Sequence, residues 1–267
     1  MTIIAMTIAG SDSGGGAGIQ ADLKTFSALG VFGTSVLTAV TAQNTQGVTA
    51  IETLSPAMVA AQIDAVLTDM DVGAIKIGMV SSAATAEAIA DRLAAYGRRA
   101  VLDPVMVATS GDTLLEPGAV DNLKRLLLPL AEIVTPNLLE AALLTGREPA
   151  QDDEELARQA DSILAMGAGS VLIKGGHGKG AECRDMLFRP GGEPLALAAP
   201  RLRTTNDHGT GCTLSAAIAA GRARGESLDE ATVSAKAYLH AALAAAEGLR
   251  IGRGHGPVHH FHRWWPA

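Results

Sequence analysis

The run His208-Gly209-Thr210-Gly211-Cys212-Thr213 leads into Leu214-Ser215-Ala216-Ala217-Ile218-Ala219-Ala220, and it is the stretch best equipped for chemistry. A Gly-Thr-Gly turn precedes an apolar, Ala-rich helix with no bulky side chain at its start. The first amides of a helix lack an internal partner, and the macrodipole makes that end positive, so it holds anions. Glycine lets a phosphate come close to the backbone. Cys212 would sit where negative charge develops, and a thiol at a helix start is expected to have a lowered pKa. The combination suits phosphoryl transfer, which rests on positioning and charge stabilisation. Taken alone, the run also reads as a glycine-containing helix cap with a buried cysteine.

Three further stretches place polar groups near strand ends. Ser11-Asp12-Ser13-Gly14-Gly15-Gly16-Ala17-Gly18 follows a strand and opens a helix. The dinucleotide spacing would need glycine where Ile19 stands, and the Gly-Lys-Ser/Thr of a P-loop is absent. This stretch reads equally as a loop over a small ligand and as a permissive turn. Lys174-Gly175-Gly176-His177-Gly178-Lys179-Gly180 ends a strand. Its first lysine could neutralise phosphate, or the segment could be a solvated hairpin. Asn137-Leu138-Leu139-Glu140 puts an amide and a carboxylate one turn apart on a helix face. They could hold hydrated Mg²⁺ beside phosphates, because Mg²⁺ prefers oxygen ligands and keeps waters. As an isolated pair they read first as a cap after Pro136. His255, His259, His260 and His262 gather in the tail beside Trp264 and Trp265. Gly and Pro break that segment and no carboxylate or thiolate lies nearby in sequence, so it reads as a docked tail rather than a metal site.

The elements that must position these residues alternate strand and helix. Strands are expected over Ile3–Ala9, Thr34–Ala42, Ala74–Gly78, Ala100–Leu102, Ile133–Val134 and Val171–Lys174, with an antiparallel pair Asp185–Phe188 and Leu195–Ala198. Gly10–Gly16 is expected as a loop. Helices are expected over Ala17–Leu29, from Ser55-Pro56 to about Met70, and over Ser82–Tyr96, Glu116–Leu128, Pro136–Leu144, Asp152–Met166, Thr210–Arg224 and Leu228–Gly248. Such alternation implies an α/β fold, a mainly parallel central sheet with helices on both faces, and one domain. Ligands of open parallel sheets bind at the carboxyl ends of the strands. Asp12, Gln43, Asn44, Lys76, Asp103, Asn137, Glu140 and Lys174 can converge there.

Composition narrows the classes. The 267 residues are 48% hydrophobic but only 3% aromatic, so the core must be built from Ala, Val, Leu and Ile. The net charge of −7 comes with no Lys/Arg-rich block, which argues against nucleic acid. Cys183 and Cys212 lack CxxC partners, which argues against a disulfide framework or a cysteine-rich zinc site. With no signal-like leader and no apolar run of bilayer length, a cytoplasmic protein without a membrane partner is expected.

Taken together, these motifs resemble the hydroxymethylpyrimidine/phosphomethylpyrimidine kinases of thiamine biosynthesis, in the ribokinase-like superfamily. The carrying segments are Ala17-Gly18-Ile19-Gln20-Ala21-Asp22-Leu23-Lys24-Thr25, Ala42-Gln43-Asn44-Thr45, Lys76-Ile77-Gly78-Met79 and Leu102-Asp103-Pro104-Val105-Met106. They continue through Thr135-Pro136-Asn137, Lys174-Gly175-Gly176-His177, the Gly-Thr-Gly-Cys turn and Gly256-Pro257-Val258-His259-His260-Phe261-His262. The resemblance implies a ribokinase-like α/β fold. It also implies Mg-ATP-dependent phosphorylation of the pyrimidine alcohol, then of its monophosphate, and a homodimer. By the same resemblance, Gln43 would bind the aminopyrimidine edge, for which an amide supplies donor and acceptor. Asp22 and Gly10 would line the substrate pocket, with Met79 and Val105 packing on the ring. Lys174, Asn137, Asp103 and Glu140 would serve ATP, with Glu140 and Asp103 holding Mg²⁺ directly or through water. Gly209, Thr210 and Gly211 would form the anion hole, and Cys212 stands where many sugar kinases carry an Asp base. Two positions depart from the family pattern: Asp207 replaces a Thr, and Ser13 a Pro seen in some relatives. A pyridoxal-type vitamer kinase on the same fold is the nearest alternative. A silent pyrimidine-binding protein is disfavoured by the apparatus for Mg-ATP, and a dehydrogenase by the failed glycine spacing.

Overall fold

Alternating strands and helices build the computed structural model, which describes residues 2–80, 82–106, 118–176 and 180–265. The strands are β1 (Ile4–Asp12), β2 (Phe32–Asn44), β3 (Gly47–Thr53), β4 (Ala74–Ile77), β5 (Ala100–Leu102), β6 (Ala131–Val134), β7 (Val171–Ile173), β8 (Glu182–Phe188) and β9 (Leu195–Pro200). They form one nine-stranded sheet in the order β3-β2-β1-β4-β5-β6-β7-β8-β9. Strands β2, β1, β4, β5, β6 and β7 pair in parallel, while β3, β8 and β9 add antiparallel margins. The helices are α1 (Gly18–Ala28), α2 (Pro56–Leu67), α3 (Ala83–Ala95), α4 (Ala119–Asn122), α5 (Leu138–Thr145), α6 (Asp153–Ala165), α7 (Thr210–Ala223) and α8 (Leu228–Ala245).

Strand side chains alternate between faces, so each central strand feeds two cores. Met6 and Ile8 of β1 join Ile63 of α2, Leu93 of α3 and Ile163 of α6 on one face. Ala5 of the same strand joins Phe26 of α1, Ile218 of α7 and Tyr238 of α8 on the other. Val171 and Ile173 of β7 take the first face and Leu172 the second. Ala216, Ala217, Ala219 and Ala220 of α7 are almost wholly buried. Their small size brings α7 close to the sheet without aromatic filler.

Local signals act as expected at several helix starts. The Ser55 hydroxyl accepts the Met58 amide at 3.3 Å ahead of Pro56. Ser227 and Glu230 close a capping box at α8. Three findings differ from expectation. Strand β1 runs on through Asp12, so Gly10 is strand and not loop, because Ser11 and Asp12 continue the ladder with Val40 and Thr41. Strand β3 was not expected, since its mostly exposed edge position removes the apolar alternation that reveals a strand. The expected Glu116–Leu128 helix is described only from α4 onward, where it continues as a π-turn over Leu123–Leu127; Glu116 itself lies outside the described residues. The tail is docked: His259 and His260 are buried, Tyr238 donates to the His260 carbonyl at 2.7 Å, and His260 Nε2 meets Thr213 Oγ1 at 3.1 Å. No helix of the described residues is long and apolar enough to cross a membrane.

β1 lies between β2 and β4: the chain steps outward from β1 to β2 and β3 and then crosses back past β1 to β4, and this reversal opens a crevice at the carboxyl end of β1.

Candidate active site

That crevice widens into a cavity of about 500 Å³. Gly10, Gln43, Met79, Asp103, Val105, Asn137, Glu140, Lys174 and Gly209–Cys212 all line it. One expected lining residue does not. Asp22 is fully buried beneath the cavity, where it pairs with Lys76 Nζ at 2.8 Å and accepts Thr7 Oγ1 at 2.6 Å. It reaches the cavity only through Lys76, which does line it.

In the turn before α7 the Thr210 amide turns back to the Asp207 carbonyl at 3.3 Å. Gly209 has φ +80° and no side chain caps the helix. A Cβ on Gly209 would overlap the Gly16 carbonyl, so the Gly-Thr-Gly turn and the Ser13–Ala17 loop interlock. Asp12 shapes that loop. Its carboxylate accepts the amides of Gly14 at 2.8 Å, Gly16 at 3.0 Å and Ala17 at 2.8 Å, and His208 Nε2 at 2.9 Å. Burial alone would raise the Asp12 carboxyl, but His208 and the Ala17 and Gly14 amides more than offset it and hold it below the usual range.

Beside the turn, Lys174 Nζ bonds Asp103 at 2.9 Å and stands 3.7 Å from Glu140. Asp103 is also bonded by Thr135 Oγ1 and Ser215 Oγ, each at 3.3 Å. Burial would lower the Lys174 ammonium, yet Asp103 and Glu140 raise it above its ordinary value, so it is a fixed positive charge. The Gly211 backbone lies against this pair: a Cβ there would meet Asp103 and Lys174 at 3.4 Å. Asn137 and Glu140 form a complete capping box, with amide-to-side-chain bonds of 2.7 and 2.9 Å. The cap reading holds, and the cap sets the two side chains on the cavity wall.

Cys212 corrects an expectation. Burial pushes its thiol up to about 11, Lys76 pulling it down and Asp22 and Asp103 pushing it further up. The helix start does not make a resting thiolate, because desolvation and two carboxylates outweigh the dipole.

The fold and this geometry match known proteins. The family model described as phosphomethylpyrimidine kinase matches residues 12–259. The chain belongs to the phosphomethylpyrimidine kinase family. A hydroxymethylpyrimidine/phosphomethylpyrimidine kinase of Rhizobium meliloti (strain 1021) is 66% identical over 265 residues, 99% of each chain. The crystal structure of a Clostridium difficile phosphomethylpyrimidine kinase superposes with a TM-score of 0.79 at 44% identity, covering 90% of this chain and 98% of that one. The ADP complex of a Bacillus subtilis pyridoxal kinase superposes with a TM-score of 0.89 at 34% identity, covering 97% and 98%.

Within this phosphomethylpyrimidine kinase site, two groups escaped the reading of the sequence. His208 was seen only as part of the glycine run, and its bond to Asp12 spans 196 positions. Lys236 of α8 bonds Asp185 Oδ2 at 2.7 Å and Cys183 Sγ at 3.3 Å, and all three line the far end of the cavity. No local pattern marks a lysine inside an alanine-rich helix. Asp207 faces His255 Nδ1 at 2.8 Å. Of the strand-end run Lys174–Gly180, residues 177–179 lie outside the described residues.

Proposed function

We propose that this chain transfers the γ-phosphoryl group of ATP to the hydroxymethyl oxygen of 4-amino-5-hydroxymethyl-2-methylpyrimidine, and then phosphorylates the monophosphate. The observation that carries this reading is the 66% identity, end to end, to an enzyme named for both activities. The cavity supports it, since it joins a helix start with no side-chain cap, a fixed ammonium and an amide side chain in one space. The alternative, a pyridoxal kinase, rests on structural neighbours at 34% identity and is the weaker reading. A coupled assay with the pyrimidine alcohol and then its phosphate, products resolved by charge, tests both steps. Failure to form any diphosphate would reject the second activity.

In this mechanism the amides of the Gly209–Gly211 turn hold the charge that develops on the transferred group. Lys174 steadies the donor phosphates, and Asp103 keeps Lys174 in place. Gln43 reads the ring edge, with Gly10 leaving room for Met79, whose methyl group a Cβ at Gly10 would strike. Val105 packs on the ring. Cys212 accepts or orients the alcohol proton in the first step. A bound Mg²⁺ would neutralise phosphate charge. Among the described residues no group of three His, Cys, Asp or Glu gathers as a metal site. Asp103 and Glu140, already engaged with Lys174, fit a cation held through its waters rather than by a protein cage.

Two tests follow from these assignments. Gln43→Leu should raise KM for the pyrimidine by about 10²-fold or more while leaving KM for ATP near wild type, because an amide built to bond a ring is left without it. An unchanged pyrimidine KM would remove Gln43 from substrate recognition. Glu140→Gln keeps size and removes charge, so half-saturation should need several-fold more Mg²⁺; an Mg²⁺ curve matching wild type would leave Glu140 as a cap alone.

We also read the chain as one domain that pairs with a second copy. Val40 of β2, Ile51 of β3 and Met58 of α2 are exposed apolar side chains near the sheet margin, with Val40 and Ile51 on opposite faces of the β2–β3 pair. Light scattering should give twice the 27.2 kDa chain mass, and Ile51→Glu should halve it. A monomeric wild type would reject the pairing.

A further inference from the structure

Gln43 sits in a hydrogen-bond network that closes with its amide in only one of its two settings. Its backbone is pinned, the Ser13 hydroxyl accepting the Gln43 amide at 2.8 Å and donating to its carbonyl at 2.6 Å. The side-chain nitrogen lies 3.4 Å from His208 Nε2, and the side-chain oxygen 3.1 Å from Thr41 Oγ1. Yet His208 Nε2 also lies 2.9 Å from the Asp12 carboxylate, which can only accept. That nitrogen must carry a proton, so with this arrangement two donors face each other. Thr41 has one hydroxyl proton, and the Ser11 carbonyl at 2.9 Å claims it. The Gln43 oxygen is then left facing a lone pair.

Turning the amide over removes both conflicts, and only a bonding network can choose between the two settings, whose shapes are nearly identical. The oxygen then shares the His208 proton with Asp12, and the nitrogen donates to the Thr41 hydroxyl. Asp12 is held below the usual carboxylate range against the pull of burial, which keeps it an acceptor in this network. One amide proton and one lone pair are left over, and Gln43 lines the cavity.

We propose that His208 is a positioning residue for ring specificity: with Thr41 it locks the Gln43 amide in one of its two settings. This rests on the reading that Gln43 pairs with the pyrimidine edge. A locked amide accepts one pattern only, a ring nitrogen that accepts next to an exocyclic amine that donates. It also fixes which way up the ring lies. The hydroxymethyl group is ortho to the amine, so a reversed amide would require a reversed ring and would carry the alcohol to the opposite side of the pocket. His208 precedes the anion turn directly, so one residue ties recognition of the ring to the turn that receives the phosphoryl group.

The test is a ratio. The 4-oxo analogue of the substrate presents the reverse pattern, a ring N–H that donates next to a carbonyl that accepts. kcat/KM, and Kd by calorimetry without nucleotide, are measured for the amino and oxo compounds in wild type, His208→Leu, Thr41→Val and Gln43→Leu. Wild type should prefer the amino compound strongly. His208→Leu and Thr41→Val should each shrink that preference by about tenfold or more, because a freed amide can serve either pattern. Damage that is merely structural lowers both compounds together and leaves the ratio alone. Thr41→Val keeps the side-chain shape and stands in if His208→Leu does not fold. An unchanged ratio in the His208 and Thr41 variants, with a collapsed ratio in Gln43→Leu, overturns the lock but keeps Gln43 as the reader. An unchanged ratio in Gln43→Leu removes the reading beneath it and the proposal with it.

Discussion

Gly209→Ala is expected to abolish useful activity in both phosphorylation steps. Gly209 has φ +80°, a region where a side chain is strained by about 1–3 kcal/mol. Strain is the smaller part of the effect. The new Cβ would overlap the Gly16 carbonyl, a backbone atom that cannot swing aside. The turn must lift away from the Ser13–Ala17 loop, and the helix-start amides move with it. Losing a single donor of this kind typically costs ~10²–10³-fold in kcat, and the whole turn is displaced here. On the proposed mechanism both steps pass through the same turn, so both should fall together by at least that amount. Gly30→Ala is the matched control, with φ +74° and open space around it. It should lose stability by a similar strain and keep its activity. A Gly209→Ala protein within a few-fold of wild type would show that the turn does not hold the transferred group.

Cys212→Ala should separate the two steps. In the first, the acceptor is an alcohol that must lose a proton; general-base help is typically worth ~10²–10⁴-fold, and the loss should fall in that range. In the second, the acceptor oxygen is already anionic, and the loss should be much smaller. The thiol value adds a pH signature. With the thiol pushed up to about 11, its thiolate fraction grows as pH rises through the neutral and mildly alkaline range. The alcohol step, followed as kcat/KM, should therefore climb about tenfold per pH unit between pH ~7 and ~9, and Cys212→Ala should flatten that limb. The monophosphate step should lack it in both proteins. Equal losses in the two steps would sink the division of labour. Full activity in both would make the thiol structural.

The sequence itself determined what depends on neighbours along the chain. Alternating apolar strands and Ala-rich helices, the Ser55-Pro56 start, the Asn137/Glu140 cap and the glycine-opened start of α7 follow from backbone dihedrals and hydrogen bonds a few residues apart. Because these signals also place strand ends, most of the cavity wall was legible, and the family motifs supplied roles that spacing alone left open. What tertiary structure decided is charge state and partnership. Asp22 looked like a pocket residue and is instead the buried partner of Lys76, 54 positions away. Cys212 looked activated by its helix and is instead held protonated by burial and by Asp22 and Asp103. His208 gains its meaning from Asp12, at the other end of the chain. Desolvation and Coulomb energies depend on everything within several ångströms, and only the folded chain sets what lies within that distance.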